Sequence, residues 1–145
     1  MQRDYLKIFP VTFVLISLMV LFSTCNKNDD PIPNAYVNLF LGINSTQYVE
    51  LNSIGGWVNV TGGVRGIVVY RKSLDEFVAF ERNCPYQPSN DCARIQVESS
   101  GVTAIDSCCG SRFILIDGSV VNGPATISLK QYNTSFDGVT LHIYN

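Results

Sequence analysis

A single histidine, His142, serves the whole 145-residue chain. It falls between Leu141 and Ile143 in an alternating run, where the aliphatic pair takes the buried face of a strand and turns the imidazole outward into solvent. A Ser/His or Cys/His catalytic dyad therefore has no base in reach. Charge is also scarce: Asp, Glu, Lys and Arg make up 15% of the residues and the net charge is −2. Without a basic cluster, binding to nucleic acid or to anionic lipid has no electrostatic support. No C-x-x-C pair is present, which speaks against a thiol–disulfide oxidoreductase. There is no internal repeat and no low-complexity tract, and beyond the N-terminal segment no apolar run keeps a 3.6-residue period for two turns.

One apolar run does exist, at residues 8–22, behind Arg3 and Lys7 and ahead of Ser23, Thr24 and Cys25. It contains Pro10 and is shorter than the roughly 20 apolar residues that a membrane-spanning helix needs. A basic start, a short apolar core and small residues before a cleavage point describe a secretory signal peptide over residues 1–24. Phe22-Ser-Thr-Cys25 resembles a bacterial lipobox, in which the cysteine becomes the acylated first residue of the mature protein. Residues 25–34, polar, acidic and proline-containing, are expected to be a flexible tether. Acidic residues just behind a lipidated cysteine also resemble a surface-export signal. The expected location is thus outside the cytoplasm, held by lipid to the outer membrane or cell surface of a diderm bacterium. No twin-arginine pair precedes the apolar run, so the chain is expected to be exported unfolded.

Residues 35–145 are long enough for one domain with one core. Runs with β-branched residues or alternation predict strands at 57–60, 66–71, 77–82, 94–98, 102–106, 113–116 and 139–144. Gly, Ser and Asp-Gly punctuate them, and Asp117-Gly118 and Asp137-Gly138 are strong hairpin signals. The expected class is all-β, a multi-stranded antiparallel sandwich or small barrel. Four cysteines, Cys84, Cys92, Cys108 and Cys109, lie in this domain, and in an exported chain four cysteines read as disulfides rather than free thiols.

The segments FERNCPY, CCGSRF, DGSVVNGPA and ISLKQY, in that order, resemble a Rieske domain over residues 37–145. Such domains carry a C-x-H loop, a C-x-x-H-G-S-x-F loop and a later loop ending in Gly-Pro-Ala. The resemblance implies a site that holds a [2Fe–2S] cluster through two cysteines on one iron and two histidines on the other. Carried onto this chain, the four ligand positions are Cys84, Tyr86, Asp106 and Cys109, and only Cys84 keeps the family residue. The resemblance also implies a disulfide bracing the two cluster loops, which maps to Cys92–Cys108. Cys84 and Cys109, facing each other where the cluster would be, are then expected to close a second bridge. The competing connectivity is Cys84–Cys108 with Cys92–Cys109, while a bond between the adjacent Cys108 and Cys109 would be strained. The expected result is a Rieske-like fold with two stapled tip loops.

Neither a cluster nor a zinc ion is expected from these residues. Adjacent cysteines in a strand project to opposite faces, and Cys84 and Cys92 are too far apart in sequence for the usual C-x₂₋₄-C zinc pair. Asp75-Glu76 reads as a solvated turn, Asp117 and Asp137 as turn residues, Arg112 as exposed, Trp57 as core and Tyr86 as loop packing. No catalytic residue is expected. The chain reads as a membrane-anchored lipoprotein with a degenerate iron–sulfur site, an interaction or structural module with an envelope protein as partner. The alternative is a [2Fe–2S] electron carrier with atypical ligands. Replacing the acylated residue, Cys25→Ser, should move the protein from the membrane to the soluble fraction on cell fractionation; wild-type protein found soluble would contradict the anchor.

Overall fold

The computed structural model describes residues 32–145; the expected signal segment 1–24, Cys25 and the expected tether up to residue 31 lie outside the described residues. Ten strands follow one another: β1 (Asn38–Gly42), β2 (Trp57–Val60), β3 (Ile67–Arg71), β4 (Phe77–Glu81), β5 (Ile95–Val97), β6 (Thr103–Asp106), β7 (Arg112–Ile114), β8 (Val120–Asn122), β9 (Gln131–Phe136) and β10 (Thr140–Tyr144). Among the described residues the only helical element is a 3₁₀ segment, Thr46–Asn52, whose start is capped by the Ser45 hydroxyl. A six-stranded sheet runs in the order β1-β10-β9-β4-β3-β2 and a four-stranded sheet in the order β5-β6-β7-β8. Every pairing between these strands is antiparallel. The all-β antiparallel class expected from the sequence is the observed one.

The apolar runs at the centre of the chain explain how the two sheets meet. In β3 and β4 nearly every side chain is buried, whichever face it points to. Ile67, Val69, Phe77 and Ala79 face one core, with Leu41, Leu51, Val58, Leu141 and Ile143. Val68, Val78 and Phe80 face a second core against the small sheet, with Ile95, Ala104, Phe113 and Leu115. Strands covered on both faces read as continuous apolar runs, while the outer strands keep the alternation of half-covered strands. β10 shows that alternation: Leu141 and Ile143 are buried and His142 points out.

Outward does not mean solvated in the case of His142. Its ring is sandwiched between Phe40, at 4.2 Å between centroids, and Tyr144, at 4.6 Å. One ring nitrogen lies 2.7 Å from Asn38 Oδ1. The register Phe40↔His142 puts the first two rings opposite each other across the β1–β10 pair, close enough for cross-strand stacking.

The hairpin signals behave differently from one another. Asp137-Gly138 joins β9 to β10, and the Asp137 carboxylate accepts from the backbone N–H groups of Val139 and Thr140. Those bonds, Thr140 first, hold the Asp137 carboxyl below the usual range. Asp117-Gly118 lies in the connection of the β7–β8 hairpin, as the hairpin signal predicts, although it is not a two-residue turn. The β7–β8 connection is longer, closed by Gly118 N–H to Ile114 O and Ile114 N–H to Ser119 O. The reason is Phe80: Gly118 has φ of +73°, and a Cβ there would stand 2.7 Å from the Phe80 ring. The turn lies flat on a core aromatic that only glycine allows it to approach. The strands 38–42, 120–122 and 131–136 carry too little apolar alternation to announce themselves: the first two are short apolar runs, and the third is rich in Gln, Asn, Thr and Ser.

A buried carboxylate ties the middle of the fold together. Glu81, at the end of β4, is wholly buried. Its two oxygens accept from Val64 N–H (2.7 Å), Arg65 N–H (2.9 Å), Asn83 N–H (2.9 Å) and the Tyr132 hydroxyl (2.7 Å). The β2–β3 loop can reach the carboxylate because residue 63 is glycine; a Cβ there would fall 2.2 Å from Glu81 Oε2. Next to it, the buried Arg82 guanidinium donates to Ile95 O at 3.3 Å, and Ile95 N–H donates to Arg82 O at 2.8 Å. These bonds carry the chain from the large sheet into the small one. At the other end, Lys130 holds the last residues of the expected tether, bonding Pro33 O and Asn34 Oδ1.

Glu81→Gln keeps the size of the side chain but turns one acceptor into a donor facing two donors. Hydrogen bonds to a charged group contribute about 1.5–3 kcal/mol each, so the variant should lose about 3 kcal/mol or more in denaturant unfolding. Tyr132→Phe, which removes one bond, should lose less. Burial and the neighbouring Glu81 raise the Tyr132 hydroxyl above the usual tyrosine range. Its contribution is therefore intact below about pH 10, the ordinary tyrosine value, and is lost as the pH climbs towards the folded value. Above pH ~10 the wild type should lose stability more steeply than Tyr132→Phe; equal slopes would assign alkaline unfolding to other groups.

Candidate functional site

Two loops at one end of the small sheet bring the four domain cysteines together. The first leaves β4 through Arg82 and Asn83 to Cys84 and returns to β5 through Cys92 and Ala93. The second is the short turn between β6 and β7, residues 107–111. Cys84 N–H donates to Ala93 O at 3.1 Å, and Asn83 pairs with Arg94 as an isolated bridge, so the first loop closes on itself. In the second, Asp106 N–H bonds Ser111 O, Gly110 N–H bonds Asp106 O, and Cys108 N–H bonds Asp106 Oδ1 at 2.8 Å.

The turn sends the two adjacent cysteines in opposite directions. Cys108 points outward to Cys92, and the pair forms a surface disulfide with S–S 2.04 Å and Cα–Cα 5.6 Å. Cys109 points inward towards Cys84. The Cys84–Cys109 bridge expected above is not formed: both carry free thiols, with the sulfurs 3.9 Å apart. The physical reason is the bonding of the 106–111 turn, which seats Cys109 Sγ 3.4 Å from Asp106 Oδ2 and 3.0 Å from Ser111 Oγ. Cys84 is wholly buried and Asp106 likewise, while Cys109 is half-buried.

Three of the four positions mapped from the resemblance, Cys84, Asp106 and Cys109, thus converge. Their donor atoms all lie within 4.8 Å of one another. The fourth, Tyr86, packs half-buried against the same apolar cluster as Cys84 and Cys109. Burial, followed by the hydrogen bond to Asp106, drives the Cys84 thiol well above its ordinary range, with the Tyr86 N–H opposing. A thiol held neutral in this way is a poor nucleophile and a poor partner for disulfide exchange.

A [2Fe–2S] cluster ligated by two cysteines and two histidines does not fit this donor set. The one histidine is engaged with Phe40 and Tyr144 on the large sheet. The triangle of donors is also small, whereas two irons with bridging sulfides would hold ligands on opposite irons farther apart.

Ser111 is a site residue that sequence reasoning passed over. Its N–H lies 3.4 Å from Cys109 Sγ, and its hydroxyl oxygen accepts from Ala125 N–H at 2.9 Å. It links the turn to a third loop, the one containing the cis Gly123–Pro124 bond. The Gly-Ser and Gly-Pro-Ala segments were visible in the sequence, but their mutual contact was not. Other residues weighed beforehand stand apart from the triad. Arg112 is half-buried and paired with Glu98 at 2.9 Å rather than exposed, and Glu76 pairs with Lys72 across a turn. Trp57 packs half-buried against the second core.

The Cys92–Cys108 bridge spans a sequence separation of 16, for which loop-closure entropy gives about 3 kcal/mol. The double variant Cys92→Ser, Cys108→Ser should lose about that much in denaturant unfolding while far-UV circular dichroism keeps its strand signature. A loss of strand signal would mean that the bridge supports the sheets rather than the tip.

No protein-family model matches the chain, and no curated protein does. Among solved structures, a ferredoxin of Sphingomonas yanoikuyae B1 is similar, with a TM-score of 0.47 and 16% sequence identity, over 75% of this chain and 99% of that one.

Proposed function

We propose that this chain is an exported lipoprotein, anchored through Cys25 to the outer membrane or cell surface, whose Rieske-like β-domain does not house a two-iron cluster. It acts as an interaction or structural module at the envelope, with another envelope protein as its partner. The observation that carries this reading is the composition of the tip: two thiols and one carboxylate in a tight triangle, with no imidazole among them. The four Rieske-like segments, the all-β topology and the disulfide between the two tip loops support the fold side of the reading. The basic start, the 8–22 apolar run and the Phe22–Cys25 motif support the anchor.

No imidazole stands beside the two tip thiols, so the tip offers no Cys/His dyad. Expressed in an iron-replete host and purified without chelators, the protein should be colourless, with iron well below one atom per chain. A brown protein with about two irons per chain would instead make it an electron carrier with atypical ligands.

A further inference from the structure

We infer that Cys84, Asp106 and Cys109 form a site for a single thiophilic divalent cation, with zinc as the reference ion and one coordination position left open at the tip. The inference rests on the reading above that no two-iron cluster occupies this position.

The first support is the size of the triangle. For a tetrahedral ion with metal–sulfur bonds of about 2.3 Å, two sulfurs stand about 3.8 Å apart. With a metal–oxygen bond of about 2.1 Å, a sulfur and an oxygen on the same ion stand about 3.6 Å apart. The observed separations are 3.9 Å between the sulfurs and 3.4 Å between Cys109 Sγ and Asp106 Oδ2. The third edge is within 4.8 Å. At 3.9 Å the two sulfurs stand at the spacing of co-ligands on one ion.

The second support is charge. Asp106 is fully buried, yet the ion pairs found among the described residues, Lys72–Glu76 and Arg112–Glu98, do not involve it. Glu81 is met by four N–H and hydroxyl donors, whereas Asp106 has one N–H at Oδ1 and a thiol, a weak donor, at Oδ2; a buried charge so poorly met costs several kcal/mol. A dication between Asp106 and the two sulfurs supplies the missing positive charge.

The third support is the way the donors are held. Cys108 N–H fixes Asp106 Oδ1 and leaves Oδ2 turned to the sulfurs. Ser111 N–H donates to Cys109 Sγ, and the Ser111 hydroxyl oxygen accepts both from the Cys109 thiol and from Ala125 N–H. Outer groups that orient ligands in this way are the usual surround of a metal site. The Cys92–Cys108 bridge clamps the two loops from outside, so the triad is assembled before any ion arrives. Three protein donors with a half-exposed Cys109 leave the fourth position to water or to an exchangeable ligand, the arrangement of an open zinc site.

The full chain, purified in detergent, stripped with a strong chelator and kept under argon, is titrated with Zn²⁺ and separately with Co²⁺. The expected result is one ion per chain, a sulfur-to-cobalt charge-transfer band, and Zn²⁺-dependent protection of Cys84 and Cys109 from alkylation. Asp106→Asn and Cys109→Ser should each weaken Zn²⁺ binding roughly 100-fold or more, beyond the 10–100-fold typical of outer-shell changes. Folding of each variant is checked by recovery of the Cys92–Cys108 bridge. Absence of Zn²⁺ binding by colourless wild-type protein with two free thiols would overturn this site and leave the proposed function standing. A Cys84–Cys109 disulfide in protein taken directly from the envelope would overturn it as well. Two irons and two sulfides per chain would overturn both readings together.

Discussion

The structure depends on one buried carboxylate. Glu81 gathers the β2–β3 loop, the end of β4 and β9 around two oxygen atoms. Such a group is tolerated in a core because every lone pair it presents is met by a donor. Glu81 lies three residues before Cys84, so the same bonds that satisfy it set the point and direction at which the first tip loop leaves the large sheet. Arg82, directly behind it, then fastens β5 alongside through Ile95. The geometry at the tip follows from this charged pair of residues at the seam of two apolar cores.

The tip itself shows how few contacts are needed to make a defined chemical environment from polar loops. The first loop is not bare: Cys84, Pro88 and Ala93 are buried and pin it to the small sheet. The second is shaped almost wholly by backbone hydrogen bonds around Asp106. The disulfide stands on the solvent side and the two free thiols on the protein side, so one pair of cysteines holds the loops while the other remains available. Burial keeps water away from Cys84 and Asp106, which strengthens any interaction of charge there, whereas Cys109 keeps an opening to solvent.

Much of the strand pattern was legible in the residues. Ile67–Arg71 and Phe77–Glu81 announce themselves because strands buried on both faces need apolar side chains at every position. Gln131–Phe136 did not, because its outward face is spent on Gln, Asn and Ser, and Asn38–Gly42 did not, because three adjacent apolar residues, Leu39, Phe40 and Leu41, give no alternation to read. His142 was placed on the correct face of its strand, yet its stacking with Phe40 and Tyr144 could not be read, since Phe40 lies about a hundred residues away in a strand that itself escaped notice. Asp117-Gly118 marked the β7–β8 hairpin, while the length and shape of its turn answer to the Phe80 ring beneath it.

The sequence by itself determined the all-β class, through local alternation and turn residues, and it determined that no two-histidine centre can form, through simple scarcity. Those properties belong to neighbours in the chain or to composition, and no folding is needed to read them. Only the tertiary structure decided which way each of two adjacent cysteines turns, and that Asp106 stands against Cys84 across a gap of more than twenty residues. Side chains of a tight turn project according to the hydrogen bonds that close it. Those bonds involve Ser111, Gly110 and a carboxylate whose own position is set by the sheet. Whether two sulfurs meet, or stop at the spacing of ligands to one ion, is a matter of an ångström or two, and distances of that size are set by the packed fold.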